Sequence, residues 1–243
     1  VFVKICGVTN EADALMATAM GTDAVGFVFA PSQRRIQPPV ARDIARRLPP
    51  EILTVGVFRD ETPQRVVEVV NATGLRGAQL HGFESPAEVA WVRQRVPFVI
   101  KAVAAGHPLM ERLGDYDVDA VLVDGPEPGS GHAFDWSSVA GLAPSARLIV
   151  AGGLSIDNVA SAIDTIGPWG VDVATGVESS PGHKDVRLVR RFIAAARQAG
   201  EARGEPGELV HHGGEGVPAM EFDPAPYDPA TSGPLYDWEQ DPA

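Results

Sequence analysis

A single cysteine, Cys6, is all the thiol chemistry that the 243-residue chain offers. That excludes an internal disulfide and a cysteine-built zinc site, and a chain without disulfides is expected in a reducing cytoplasm. No apolar run approaches the roughly 18–20 residues that a bilayer span demands, so no membrane partner is expected. The opening residues, Val1-Phe2-Val3-Lys4, show neither a basic n-region nor a cleavage pattern. Basic charge is scarce as well: 20 Lys/Arg stand against 32 Asp/Glu, a net charge of -12. Residues 201–243 hold ten of those acids and one base, Arg203, so residues 1–200 come close to balance. Neither part has the basic stripe that nucleic-acid binding needs, and no nucleic-acid partner is expected.

What the chain does have is a repeating pattern. Short runs rich in Val, Ile and Phe recur at Val1–Cys6, Ala24–Phe29, Leu53–Phe58, Gly77–His81, Phe98–Val103, Ala120–Asp124, Leu148–Gly152 and Gly170–Thr175. Consecutive apolar positions suit strands buried on both faces, which means a parallel sheet. Helical segments lie between them. Thr9 or Asn10 can cap a helix over Ala12–Met20, Thr62-Pro63 opens one through Asn71, and Ser85-Pro86 precedes Ala87–Arg95. Val40–Leu48 and Asp157–Ile163 follow, and the clearest amphipathic stretch begins after Asp185. Pro108–Leu113 and Asp135–Leu142 are short.

Such alternation fits a closed barrel or a doubly wound open sheet. Polar residues inside the runs decide between them: Lys4, Cys6, Gln79 and His81, with Asp124 and Asp172 near strand ends. An open sheet packs helices on both faces, whereas a barrel turns one face inward around a pocket. The expected fold is an α/β (β/α)₈ TIM barrel over 1–200. Residues 201–243, with seven Pro and six Gly, form an acidic low-complexity tail expected to be disordered. Phe222, Tyr227, Tyr236 and Trp238 leave a tail-mediated contact open.

Barrel enzymes place their sites at the C-terminal ends of the strands. Cys6 sits there, two residues after Lys4 and on the same face, so a nearby ammonium group would favour its thiolate. A lone cysteine is usually a small buried hydrophobe; its place at a strand end reverses that preference. Asp124 is a helix cap, a partner for an inward lysine, or an acid whose pKa burial has raised. Gly152-Gly153 and Thr175-Gly176 form turns after the last two strands, each expected to lead to a helix N-terminus, where free backbone N–H groups can cradle a phosphate. Arg34 in the loop after the second run can hold a carboxylate by a two-point contact, or simply be solvated. His81 is a donor to substrate or a satisfied rim histidine. Gln79 reads as structural, Trp136 as a packing anchor, and His211-His212 as incidental.

Lys4-Ile5-Cys6-Gly7-Val8-Thr9 resembles the N-terminal signature of phosphoribosylanthranilate isomerases. The likeness continues in order through Ser32–Ile36, Gly56–Phe58, Gln79–Gly82, Leu122–Asp124, Gly129–Gly131 with Phe134–Trp136, Ala151–Leu154, Gly170–Val173, Gly176–Glu178 and Pro181–Asp185. It implies an Amadori rearrangement of N-(5-phosphoribosyl)anthranilate to 1-(2-carboxyphenylamino)-1-deoxyribulose 5-phosphate in tryptophan biosynthesis. By that resemblance Asp124 is the general acid and Cys6 the general base. Arg34 holds the anthranilate carboxylate, Gly152, Gly153, Thr175 and Gly176 bind phosphate, and Asp172 contacts the sugar or amine. The substrate is a small phosphorylated sugar, with no cofactor and no metal, and a monomer is the simpler expectation. Two features depart from the family pattern: Pro128–Gly131 is less glycine-rich, and Ala174 stands where a serine is common. The competing readings are a histidine-pathway or dual-substrate isomerase, and a non-catalytic barrel with the tail as its interaction element. The first tends to use an aspartate where this chain has Cys6.

Overall fold

The computed structural model describes residues 1–125 and 146–204. The expected helix over Asp135–Leu142, Trp136, the Gly129–Gly131 loop and nearly all of the tail lie outside these residues.

All eight apolar runs form strands: β1 (Phe2–Ile5), β2 (Ala24–Val28), β3 (Leu53–Phe58), β4 (Gly77–Leu80), β5 (Phe98–Ala104), β6 (Ala120–Asp124), β7 (Arg147–Val150) and β8 (Gly170–Val173). Each is parallel to its sequence neighbours, and β8 pairs back onto β1 to close a barrel. Helices α1 (Glu11–Ala19), α2 (Pro38–Ala45), α3 (Pro63–Thr73), α4 (Pro86–Arg93), α5 (Val159–Ile166) and α6 (Val186–Ala202) lie between and after the strands.

Local chemistry accounts for most helix starts. Asn10 accepts from the Asp13 N–H at 2.9 Å, and Thr62 accepts from Arg65 N–H with Pro63 in the first turn. Ser85 and Glu88 form a complete capping box, each cap satisfying amides that the first turn leaves free. The structure moves two helix starts and changes the character of one segment. α2 begins at Pro38, because two successive prolines fit a first turn that needs no donors. Pro108–Asp115 is a 3₁₀ segment and not an α-helix. α5 begins at Val159, because Asn158 turns its side chain back onto the preceding loop.

Strand alternation divides the buried residues into two sets. One set packs the barrel against its helices: Val3, Ile5, Val25 and Phe27 meet Ala14, Ala17, Phe192 and Ile193. The other fills the barrel's lower interior, with Phe2, Ala24, Val55, Ile100, Ala120, Leu122 and Ile149 in contact. Phe2 stacks on Trp169 at 4.4 Å between ring centroids. Above this plug Lys4, Gln79, Asp124 and Asp172 bring buried polar groups among the apolar positions. That change of chemistry along the barrel axis locates the site.

Candidate active site

A cavity of about 340 Å³ opens at the C-terminal ends of the strands. Cys6, Arg34, His81, Asp124, Gly152, Gly153, Asp172, Thr175 and Gly176 all line it. The structure therefore gathers all nine of the expected catalytic, substrate-binding and phosphate-binding residues into one pocket. Cys6 and Asp124 come from strands three places apart round the barrel, β1 and β6.

The floor is an ion pair. The β1–β8 register sets Lys4 opposite Asp172, and Lys4 Nζ donates to Asp172 Oδ1 at 2.9 Å. Burial alone would lower the Lys4 pKa, but the charges of Asp172 and Cys6 outweigh it and push it up to about 12. Lys4 therefore stays charged beneath the pocket.

Cys6 does not behave as Lys4 alone would dictate. Burial raises its thiol pKa, Lys4 lowers it, and Asp172 raises it again; the net direction is upward. The thiolate would have to form out of water, and this cost exceeds the help that Lys4, shared with Asp172, gives it. The sulfur sits where it does because β2 offers Gly26 opposite. A Cβ there would stand 2.7 Å from Cys6 Sγ and 3.0 Å from Lys4 Nζ.

Asp124 is only 8 % exposed. Burial pushes its carboxyl up to about 6, the Asp172 charge adds to this, and the Gly125 N–H bond and Lys4 oppose it. The Gly125 N–H donates to Oδ1 at 2.8 Å. His81 Nε2 lies 3.5 Å from Asp124 Oδ2, long for a hydrogen bond. Burial drives the His81 pKa down to about 4, so the ring is neutral at physiological pH. Its Nε2 and the neighbouring Gln79 Oε1 are buried without a hydrogen-bond partner among the described residues. Such atoms are costly unless a ligand or water completes them.

The two glycine loops face the cavity together. Gly152 has φ +83°, and a Cβ on it would run into the Gly125 backbone; one on Gly176 would strike Leu154 O. Asn158 secures the first loop, donating to Gly153 O at 2.9 Å and accepting from Ser155 N–H at 2.7 Å. One expectation fails here. Gly176 belongs to a three-residue 3₁₀ turn, Thr175–Val177, and does not lead directly into a helix. A hairpin, β9 (Glu178–Ser180) and β10 (His183–Lys184), intervenes before α6.

Arg34 is not a solvated loop residue. Its Nε and Nη2 donate to the two oxygens of Glu178 at 2.8 and 2.7 Å, and Nη2 also donates to Thr175 Oγ1 at 3.1 Å. Glu178 and Lys184 were not singled out from the sequence, nor was Lys101. Buried on β5, Lys101 donates to Glu84 Oε2 at 2.7 Å and to Gly82 O at 2.7 Å. Glu84 also accepts from the N–H groups of Asp60 and Gly82, so this pair ties the loops after β3 and β4 together. A lysine within an otherwise apolar strand is the one signal that could have revealed it. Among the described residues, no group of three or more His, Cys, Asp or Glu could hold a metal ion. No helix among them is long and apolar enough to cross a membrane.

The fold and its pocket define a (β/α)₈ barrel with a buried thiol and a high-pKa carboxyl facing a common cavity, beside paired glycine loops. Comparison with known proteins narrows this class. The model of the N-(5′-phosphoribosyl)anthranilate (PRA) isomerase family matches residues 3–195. The chain is 47% identical over 204 residues to N-(5′-phosphoribosyl)anthranilate isomerase of Desulforudis audaxviator, covering 81% of this chain and 98% of the relative. A solved phosphoribosyl anthranilate isomerase in complex with reduced 1-(o-carboxyphenylamino)-1-deoxyribulose 5-phosphate superposes with TM-score 0.71 at 39% identity, covering 82% of this chain and 99% of that one. Another solved structure, of monomers generated from the dimeric enzyme of Thermotoga maritima, gives TM-score 0.72 at 39% identity over the same shares of the two chains. The chain belongs to the N-(5′-phosphoribosyl)anthranilate isomerase family, isomerases of tryptophan biosynthesis.

Proposed function

We propose that this pocket carries out the Amadori rearrangement of N-(5-phosphoribosyl)anthranilate with Asp124 as acid and Cys6 as base. The observation that carries the reading is Asp124 itself: a buried carboxyl, titrating at about 6, in one cavity with a buried thiol. A pKa near the working pH lets a carboxyl hold a proton and still release it.

The steps follow from those positions. Asp124 gives its proton to the furanose ring oxygen. The C1′–O bond breaks while the anthranilate nitrogen lone pair closes a C=N bond, leaving the open-chain Schiff base. The Cys6 thiolate then removes the C2′ proton, and the C–H electron pair forms C1′=C2′ as the C=N pair returns to nitrogen. The enolamine tautomerises to the ketone. Lys4, charged beside Cys6, offsets the cost of the buried thiolate. Asp172 opposes that effect and supports the raised carboxyl on Asp124.

Binding roles divide along the cavity. Gly152, Gly153, Thr175 and Gly176 cradle the phosphate, and Arg34 takes the anthranilate carboxylate. Asp172 contacts the sugar or amine portion of the substrate. His81 and Gln79, whose Nε2 and Oε1 have no hydrogen-bond partner among the described residues, line the same cavity. The solved relative holding a reduced product-type ligand supports a phosphorylated substrate. The dimeric Thermotoga maritima enzyme leaves the expected monomer without support.

Turnover of freshly generated phosphoribosylanthranilate, followed as loss of anthranilate-type fluorescence, tests the reading. Steady turnover by the intact chain is the expected result. Binding without turnover, under conditions where another family member works, overturns it in favour of a non-catalytic barrel.

A further inference from the structure

Arg34 is held by more than its loop. Glu178 occupies the Nε and Nη2 edge of the guanidinium through two short bonds. Among the described residues, Nη1 has no protein acceptor. The Arg34 stem rests on Gly7, where a Cβ would stand 2.5 Å from Cδ. Glu178 is itself fixed from behind: Lys184 Nζ donates to its Oε1 at 2.8 Å and the Gly182 N–H at 3.3 Å. The side chains of Glu178 and Lys184 are 4% and 0% exposed. The hairpin that bears them is pinned to the segment after β1, with Thr9 Oγ1 donating to Gly182 O at 2.6 Å and Lys184 N–H donating to Asp13 Oδ2 at 2.8 Å.

We propose that Glu178 is the positioning residue for substrate recognition, holding Arg34 by Nε and Nη2 so that Nη1, which has no protein acceptor among the described residues, is fixed for the anthranilate carboxylate. The inference rests on the reading of Arg34 as the carboxylate-binding residue. Charge and geometry both favour it. One carboxylate between two cations leaves a net charge of one positive unit at the rim, which suits an incoming anion. A free arginine would have to lose several rotatable bonds on binding, whereas this one has already lost them. Because the guanidinium is planar, the direction of Nη1 becomes a property of the Glu178 contact, with Thr175 Oγ1 taking the second Nη2 hydrogen.

The proposal predicts an effect whose sign opposes simple attraction. Replacing Glu178→Gln raises the local positive charge, so attraction alone would lower KM for an anionic substrate. Positioning predicts a KM rise of about tenfold, the order expected when one charge-assisted contact loses its alignment, with kcat changed by less than about twofold. Glu178→Asp keeps the charge and shortens the reach, and it decides the matter should the first variant fold poorly. It too should raise KM. The control is phosphoribosylaniline, the same substrate without the carboxylate, on which both variants should match the parent. Unchanged or lower KM in Glu178→Asp, or an equal penalty on phosphoribosylaniline, overturns the proposal. A parent that does not distinguish the two substrates overturns the Arg34 reading itself, and the proposal with it.

Discussion

The two ends of the barrel interior are built from the same eight strands and follow opposite rules. At the N-terminal end, Phe2, Val55, Ile100, Leu122 and Ile149 form a close-packed apolar plug. Two residues further along their strands stand Lys4, Val57, Ala102, Asp124 and Ala151, and here charge enters the buried interior at Lys4 and Asp124. The lower end gains stability from removing hydrocarbon from water. The upper end holds a carboxyl that would be more comfortable protonated and a thiol that resists ionising. Proximity along one strand therefore says little about role; height in the barrel says a great deal.

The contrast can be broken first at the lower end. Leu122→Ala should cost about 2–5 kcal/mol of stability, as large-to-small core changes do, and leave kcat of the folded fraction within about twofold. Denaturant unfolding beside steady-state kinetics checks both halves. A large loss of kcat in fully folded protein would mean the plug also sets the geometry above it.

At the upper end, Gly26→Ala should do the reverse. Its Cβ would crowd Cys6 Sγ and Lys4 Nζ, and displacing a reacting group by about 1 Å costs on the order of a hundredfold in kcat. Stability, read by thermal unfolding, should change far less than in Leu122→Ala.

Asp124→Asn sharpens the comparison through pH. The folded carboxyl titrates at about 6 against 3.8 for an unperturbed one. A raised folded pKa means that Asp124 contributes its full stability below about pH 4 and loses it as pH rises through 6. The asparagine variant, which cannot ionise, should therefore be more stable than the parent by about 2–3 kcal/mol at pH 8, and not at pH 4. Paired unfolding curves at the two pH values decide it; an equal difference at both would show that the carboxyl is not destabilised by burial.

The smallest expected effect concerns the thiol. Cys6 is the chain's only cysteine, so its alkylation rate with iodoacetamide reads one group. The rate should rise with pH around a midpoint above the ordinary thiol value, and Lys4→Met should move that midpoint higher still. A downward movement would contradict the role given to Lys4.

These tests also mark what the sequence could and could not disclose. The strands were legible because each is an apolar run bounded by turn and cap residues, and Cys6, Asp124, Gly152 and Asp172 were legible as strand-end residues. Local caps such as Asn10, Thr62 and Ser85 wrote themselves into short spacings. The 3₁₀ character of Pro108–Asp115 did not, since its residues suit either helix. Partners remote in sequence were equally hidden. Arg34 meets Glu178 across 144 residues, and no local pattern joins them. The upward shift of Cys6 was hidden for a related reason: burial raises it most, and Asp172, set opposite Lys4 by the β1–β8 register, raises it further against the pull of Lys4. Sequence shows which groups are near a strand end, but the balance of charges among them needs the closed barrel.

The central claim is that Asp124 and Cys6 divide the proton transfers between them. Its most direct test is kcat for Cys6→Ser and Asp124→Asn beside the intact protein, on freshly generated phosphoribosylanthranilate. Each variant should keep its fold and lose roughly 10²–10⁴-fold in kcat, the scale of a displaced general acid or base. A folded variant of either kind that retains kcat within about tenfold of the parent would assign that proton to another group.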